Sequence, residues 1–402
     1  MIVLLPVDTG MRSQLDQAMD LRALLGMLLG LVPVLVFACE SDEATTPCDC
    51  TSAAGSSGGG PVADAAADAS DASDPGCATQ PVAFGLHPRA VMQGTADGRA
   101  LIDVRGWHDR LYFGYGDLAS NTGPIWISSL DPVTKVWQDH LEFPTERIQR
   151  FRVIGDSLYA PSADPHGAEP QPDVAIGTAA HEWSALDVGE SLHVLDAVER
   201  APGDIYLVGG GWLDQANGFV SGYVWRSQDG APFALIFPVL PIDPVVQLFD
   251  VGRQFYGAAA LDGILYPSPG GAAWSFDGTT WSFGTVVGAF LRPTTFADRI
   301  VFDTFGQLWA LDGQTKKNLG VTLIPNPASY QFVAEPNSVF SDTEGHLVAV
   351  AANGSVLETT DLETWTCIGQ APAYVTSVGS LNGRVYFGAA EGKIWGYEAP
   401  SW

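Results

Sequence analysis

A pair of residues, mostly apolar-aromatic, recurs just after a turn along most of the chain. The pairs are Leu111-Tyr112, Leu158-Tyr159, Ile205-Tyr206, Phe255-Tyr256, Ile300-Val301, Leu347-Val348 and Val385-Tyr386. Polar or glycine turns such as Gly155-Asp156, Gly252-Arg253 and Asn382-Gly383 stand before them, and an apolar stretch stands before each turn. This pattern predicts two short strands joined by a hairpin in every unit. A second pair follows: Ile125-Trp126, Val174-Ala175, Val224-Trp225, Ala273-Trp274, Leu308-Trp309, Val356-Leu357 and Ile394-Trp395. Turn residues and a fourth strand come after it. Tyr, Trp and Val punctuated by Gly and Asp favour strands over helical repeats of similar period. Four strands in each of seven units predict an all-β chain, a seven-bladed β-propeller over residues 78–402. The last unit reaches Trp402 scarcely into its fourth strand, so residues 81–86 (PVAFGL) are expected to complete it and close the ring.

The region ahead of the repeats reads differently. Arg12 and Arg22 flank the start of an apolar run over residues 23–38, which has the form of an export signal. It is shorter than the roughly 20 apolar residues of a membrane span. The run ends Val36-Phe37-Ala38-Cys39, which resembles the lipobox of bacterial lipoproteins. The resemblance implies that residues 1–38 are a signal peptide and that Cys39 receives the lipid. It also implies a lipid anchor at the cell envelope, with the domain facing the periplasm or the cell surface. Residues 39–77 contain SSGGG and ADAAADASDASDPG and bury too little apolar area to fold, so they are expected to form a tether. An exported chain meets an oxidising compartment. Cys48 and Cys50 belong to the tether. Cys77 precedes the proposed outer strand of blade seven and Cys367 lies in that of blade six, so these two are expected to form a disulfide.

The stretches 227–233, 275–281 and 359–365 resemble the Asp-box turn of sialidase-like propellers, and 130–137 is similar to a kelch turn. In such turns the Asp caps backbone N–H groups. The formal charge of −27 repels phosphate backbones, and no basic patch offsets it, which argues against nucleic acid as a partner. A monomer is expected, with no organic cofactor.

In a propeller, loops between second and third strands share a face with the links between blades. Here they are long in blades one to four (115–123, 161–173, 209–222 and 258–271) and tight in blades five to seven. Trp212 and Tyr266 could stack on a sugar ring or a partner side chain, or could seal the loops against one another. Asp164, His166, Glu169 and Asp173 share one loop; the carboxylates suit Ca²⁺, and His with carboxylates suits Zn²⁺. Arg150 and Arg152 alternate onto one face of an inner strand. Either they form an internal ion-pair network with Asp103 and Asp196, or they aim at a ligand carboxylate. His193 with Asp196 or Glu146 is a conceivable acid–base pair. FLRP (290–293) is similar to a sialidase motif but falls in blade five, and the Tyr–Glu nucleophile pair of that family cannot be placed. With no complete catalytic constellation, the leading expectation is a binding scaffold for a glycan or protein ligand. The alternatives are a sialidase-, glycosidase- or lyase-like enzyme and an envelope assembly component.

Overall fold

The computed structural model describes residues 75–118, 120, 123–164, 172–189, 191–214, 219–237, 255–269, 272–287, 291–312, 315–325 and 339–397. The signal peptide, Cys39, the tether up to residue 74, His166 and Glu169 lie outside them.

Seven four-stranded antiparallel sheets stand in sequence, and short 3-10 turns are the only helical elements among the described residues. Blade one is built from Asp103–Trp107, Arg110–Gly114, Ile125–Leu130 and Trp137–Phe143. Blade seven pairs Val375–Leu381, Arg384–Ala389 and Lys393–Gly396 with Val82–Leu86, which supplies the outer strand from ahead of blade one. Closure by hydrogen bonds between the two ends of the domain is therefore part of the fold. At the rim Cys77 and Cys367 are joined, with their Cα atoms 5.2 Å apart.

Alternation sends one face of each sheet toward each neighbouring blade, so apolar residues accumulate between blades. Tyr112, Phe113, Phe151 and Tyr386 fill the seams around blades seven, one and two. Val194, Leu207 and Trp225 meet Tyr159 and Val174 between blades two and three. Further clusters join three to four, four to five, and five through seven. Each fully buried side chain of this kind contributes about 1.5–3 kcal/mol.

Six of the seven repeated pairs sit in second strands. Blade four departs from the expectation. Phe255-Tyr256 lies in its inner strand, Phe255–Leu261, and the second strand is Ile264–Pro269. The turn between them is Asp262-Gly263, with φ of 51° and 71°. Asp-Gly takes up these positive φ values at low cost and is a strong hairpin former, which outweighs the aromatic pair as a marker of register. Tyr266 is consequently a strand residue packed against Ala259, Ile300 and Phe302, and not part of a loop. Blade four joins its second and third strands tightly, between Pro269 and Ala272.

Candidate functional site

In an antiparallel blade, the first and last hairpins share one end, and the middle connection shares the other end with the links between blades. We refer to these as the hairpin face and the link face. On the link face, blades one and two have loops after Gly114 and Pro161. Blade three instead has a hairpin that pairs Asp204–Asp214 with Phe219–Gln228 along ten positions.

The link into blade two is threaded through this region. Glu146 N donates to the Asp164 carbonyl at 2.8 Å, Asp117 N to the Glu146 carbonyl at 3.1 Å, and Ala163 N to the Arg147 carbonyl at 3.1 Å. The Ser162 hydroxyl bonds that of Thr145 at 2.8 Å, and Val194 N donates to the Ser162 carbonyl at 2.9 Å. Blades one, two and three are thus joined through residues 145–147 and 162–164. A glycine permits the approach: a Cβ at Gly116, where φ is +119°, would lie 2.1 Å from the Glu146 carbonyl oxygen. Within blade three, Gly209 likewise lets the first two strands close, since a Cβ there would lie 1.9 Å from the His193 carbonyl oxygen.

This arrangement gathers Asp117, Glu146, Arg147, Asp164 and His193 at the channel mouth. His193 Nε2 stands 3.6 Å from Asp164 Oδ2. Asp117 Oδ2 accepts the Thr95 hydroxyl at 2.7 Å. Burial, reinforced by the Asp164 charge, pushes the Glu146 carboxyl up to about 7 against the opposing effect of His193. Such a group can donate or accept a proton or a hydrogen bond near neutral pH. Trp212 lies on the blade-three hairpin two residues beyond Gly210, the partner of His193 across the strands, and is 39 % exposed. Its carbonyl accepts the Tyr223 hydroxyl at 3.0 Å.

Below the mouth the channel is closed by charge pairs. Arg152 donates to both Asp196 oxygens, from Nε at 2.7 Å and Nη2 at 2.8 Å. Arg150 Nη1 reaches Asp196 Oδ2 at 3.2 Å and the Pro293 carbonyl at 3.1 Å. Ala258 N and Ala197 N also donate to Asp196. Burial raises the Asp196 pKa, but Arg152 and Arg150 outweigh it and hold the carboxylate below its ordinary range. The ion-pair alternative is therefore what the structure shows for Arg150, Arg152 and Asp196, because their charges face each other. A free arginine pair for an acidic ligand is absent there, and Asp196 does not pair with His193.

A second buried bridge crosses the ring. Arg292 Nη2 donates to Asp103 Oδ1 at 2.5 Å, and Phe151 N to Asp103 Oδ2 at 2.7 Å. Arg105 Nη1 donates to the Asp342 carbonyl at 2.8 Å. The sequence reading missed Arg105, Arg292 and Asp342. The available signal was a charged residue inside an otherwise apolar inner-strand run, as in Asp103-Val104-Arg105.

The candidate metal set does not assemble in the described part. Asp173 accepts from Ser191 and from Val188 N at 2.8 Å, away from Asp164, and burial pushes it up to about 6. Among the described residues no three His, Cys, Asp or Glu gather to hold a metal. Asp277 and Asp361 in the Asp-box-like turns each accept two backbone N–H groups, as does Asp131 in the kelch-like one.

No family model and no curated protein matches this chain. Among solved structures, PorZ, a surface component of the type-IX secretion system of Porphyromonas gingivalis, is 12% identical, with 75% of this chain and 37% of that chain covered and a TM-score of 0.49. YCF48 of Cyanidioschyzon merolae is 11% identical, with 74% and 95% covered and a TM-score of 0.44. BamB of Moraxella catarrhalis is 14% identical, with 74% and 85% covered and a TM-score of 0.38. The seven-bladed assignment rests on the strand pairings above.

Proposed function

We propose that this chain is a lipid-anchored envelope propeller that binds a glycan at the link-face mouth of blades one to three. The observation that carries the reading is the exposed Trp212 on the long blade-three hairpin, beside a sunken group of carboxyls and imidazole. An aromatic face with a few convergent polar groups is the ordinary composition of a small-ligand site. Carboxyls outnumber cations at this mouth, which favours neutral or amino sugars over acidic ones. The anchor at Cys39 and the tether would hold this mouth within reach of envelope polysaccharide.

A glycan array probed with the full-length chain in detergent tests the proposal. Selective binding of neutral or amino sugars, weakened by Trp212→Ala, supports it. Silence on the array, together with a stable protein partner recovered from membranes, favours the assembly-component reading. A hydrolytic or lyase reading draws on one observation, the raised pKa of Glu146 beside His193 and Asp164. Shortened products released from the bound glycan, and lost in Glu146→Gln, would establish it.

A further inference from the structure

Three histidines from two blades meet on the hairpin face. His108 lies in the first turn of blade one, between Asp103–Trp107 and Arg110–Gly114, and His140 lies in its outer strand. His181 comes from blade two, in the turn that joins Val174–Gly177 to Trp183–Leu186. That turn is tight: His181 N donates to the Thr178 carbonyl at 2.8 Å and Thr178 N to the Glu182 carbonyl at 2.9 Å. His181 sits at φ 59°, a backbone state that L side chains take up at a cost. Its ring reaches across the seam onto blade one. Between ring centres it stands 5.4 Å from Trp107, 6.0 Å from His140 and 6.1 Å from His108. Its Nδ1 bonds the hydroxyl of the buried Tyr112 at 2.8 Å. Trp183 follows onto the same ring, 5.7 Å from Tyr112. A Cβ at Gly177 would lie 2.7 Å from the Trp183 indole, so the glycine lets that indole lie over its own hairpin.

This contact suits neutral imidazoles. His140 Nε2 bonds the Ser129 hydroxyl at 2.7 Å, and Arg110 Nε donates to the same oxygen at 2.5 Å. Arg110 can only donate, so the Ser129 proton is directed at His140 Nε2, which is then the acceptor. A proton on that nitrogen would set His140 against Ser129, Arg110 and the His181 ring stacked on it at 29°. The opposing carboxylates are weakly placed. Asp109 Oδ1 is 3.4 Å from His181 Nε2 but its side chain is 76 % exposed, and Asp139 is already bound by Arg89. Neither blade-two strand beside the turn carries an ionisable side chain, and Glu182 is exposed. Burial, helped by His181 and Arg110, lowers His140 to about 4 against the pull of Asp139. Burial also lowers His181, against Asp109. Lifted away from the seam, both rings regain the ordinary value near 6.5. The docked turn is therefore fully favoured above that pH and loses ground as pH falls toward 4.

We propose that this imidazole cluster is an acid-operated latch: neutral rings hold the outer turn of blade two on blade one, and proton uptake releases it. Release bares Trp107 and Tyr112, which are buried in the docked form. The latch lies on the opposite face from the glycan mouth and does not depend on it.

Hydrogen exchange of the full-length chain in detergent, read as protection factors at pH 7.5 and pH 5, tests the assignment. The amides of residues 178–186 report on the latch. The equivalent turn of blade three, residues 229–233, has no histidine and is the internal reference. Moving from about 4 when docked to 6.5 when released, His140 alone makes opening about 30-fold more favourable at pH 5 than at pH 7.5. His140→Gln keeps a polar group for Ser129 but does not titrate. It should cut the response to about fivefold or less, even where the turn is looser at both pH values. Adding His181→Asn, a residue that tolerates this φ, should remove the rest. Should the double variant fail to fold, His181→Asn alone is read in its place and should respond less than wild type. The proposal is overturned if the wild-type turn responds no more than the reference turn. It is also overturned if the double variant, or His181→Asn in its place, responds as strongly as wild type.

Discussion

Replacing Asp196 by Asn keeps the shape of the side chain and removes its charge. In the native chain the carboxylate is 0% exposed and accepts from Arg150 Nη1, Arg152 Nε and Nη2, Ala197 N and Ala258 N. An Asn amide turns one donor toward these donors and leaves two buried guanidinium groups without their counter-ion. Breaking a buried pair from one side typically costs about 3–5 kcal/mol, because the remaining charge stays desolvated. For a domain of this size that is a fall in melting temperature of about 4–7 °C. Thermal and urea unfolding of the full-length chain, followed by circular dichroism at pH 7, measures it. A triple variant, Arg150→Met, Arg152→Met and Asp196→Asn, buries no unpaired charge and should be more stable than Asp196→Asn alone. A single variant melting within about 1 °C of wild type, or a triple variant melting below the single, would refute the charge argument.

His87 should make the ring closure sensitive to acid. It is buried, its Nδ1 accepts from Ala90 N at 3.1 Å, and burial lowers its pKa to about 3. The unfolded chain protonates first, near 6.5, so this contribution is whole above that pH and is lost as pH falls toward 3. Relative to His87→Asn, wild type should lose about 2 kcal/mol of stability between pH 6.5 and 5, whereas parallel pH profiles would contradict this. Replacing Cys77 and Cys367 by Ala opens a loop with a sequence separation of 290. The chain-entropy model sets the loss at roughly 5–6 kcal/mol at most, and an unchanged urea midpoint would reject a stabilising role for the bridge. Cys39→Ala should release the chain from the membrane fraction, and unaltered partitioning would remove the lipobox assignment.

The architecture was legible in the sequence because strand pairs repeat and each blade buries both faces against its neighbours. Blade closure was legible too, since the seventh repeat lacks a strand that residues 81–86 can supply. Blade four misled because two cues competed. Phe255-Tyr256 imitates the repeated pair, while Asp262-Gly263 fixes the actual turn. The partners of the inner-strand charges were only half legible. Alternation places Arg150 and Arg152 on one face, but that Arg292 reaches Asp103 across the ring depends on its curvature, which no local pattern encodes. Arg292 also sits at φ 49°, beside an irregularity in strand register, so its direction does not follow from simple alternation. At the link-face mouth, Glu146 and Asp164 meet through long-range backbone contacts, and the sequence offered them only as residues of separate segments.

Ligand binding at the link-face mouth can be read from the affinity of wild type and Trp212→Ala for the glycan selected on the array, measured by titration calorimetry. The substitution removes the exposed ring but spares the Tyr223 hydrogen bond, which uses the Trp212 carbonyl. A loss of about tenfold or more is expected, with the melting temperature unchanged. Equal affinity for the two proteins, or a loss seen only with hairpin-face substitutions such as His181→Asn, would contradict binding at that mouth.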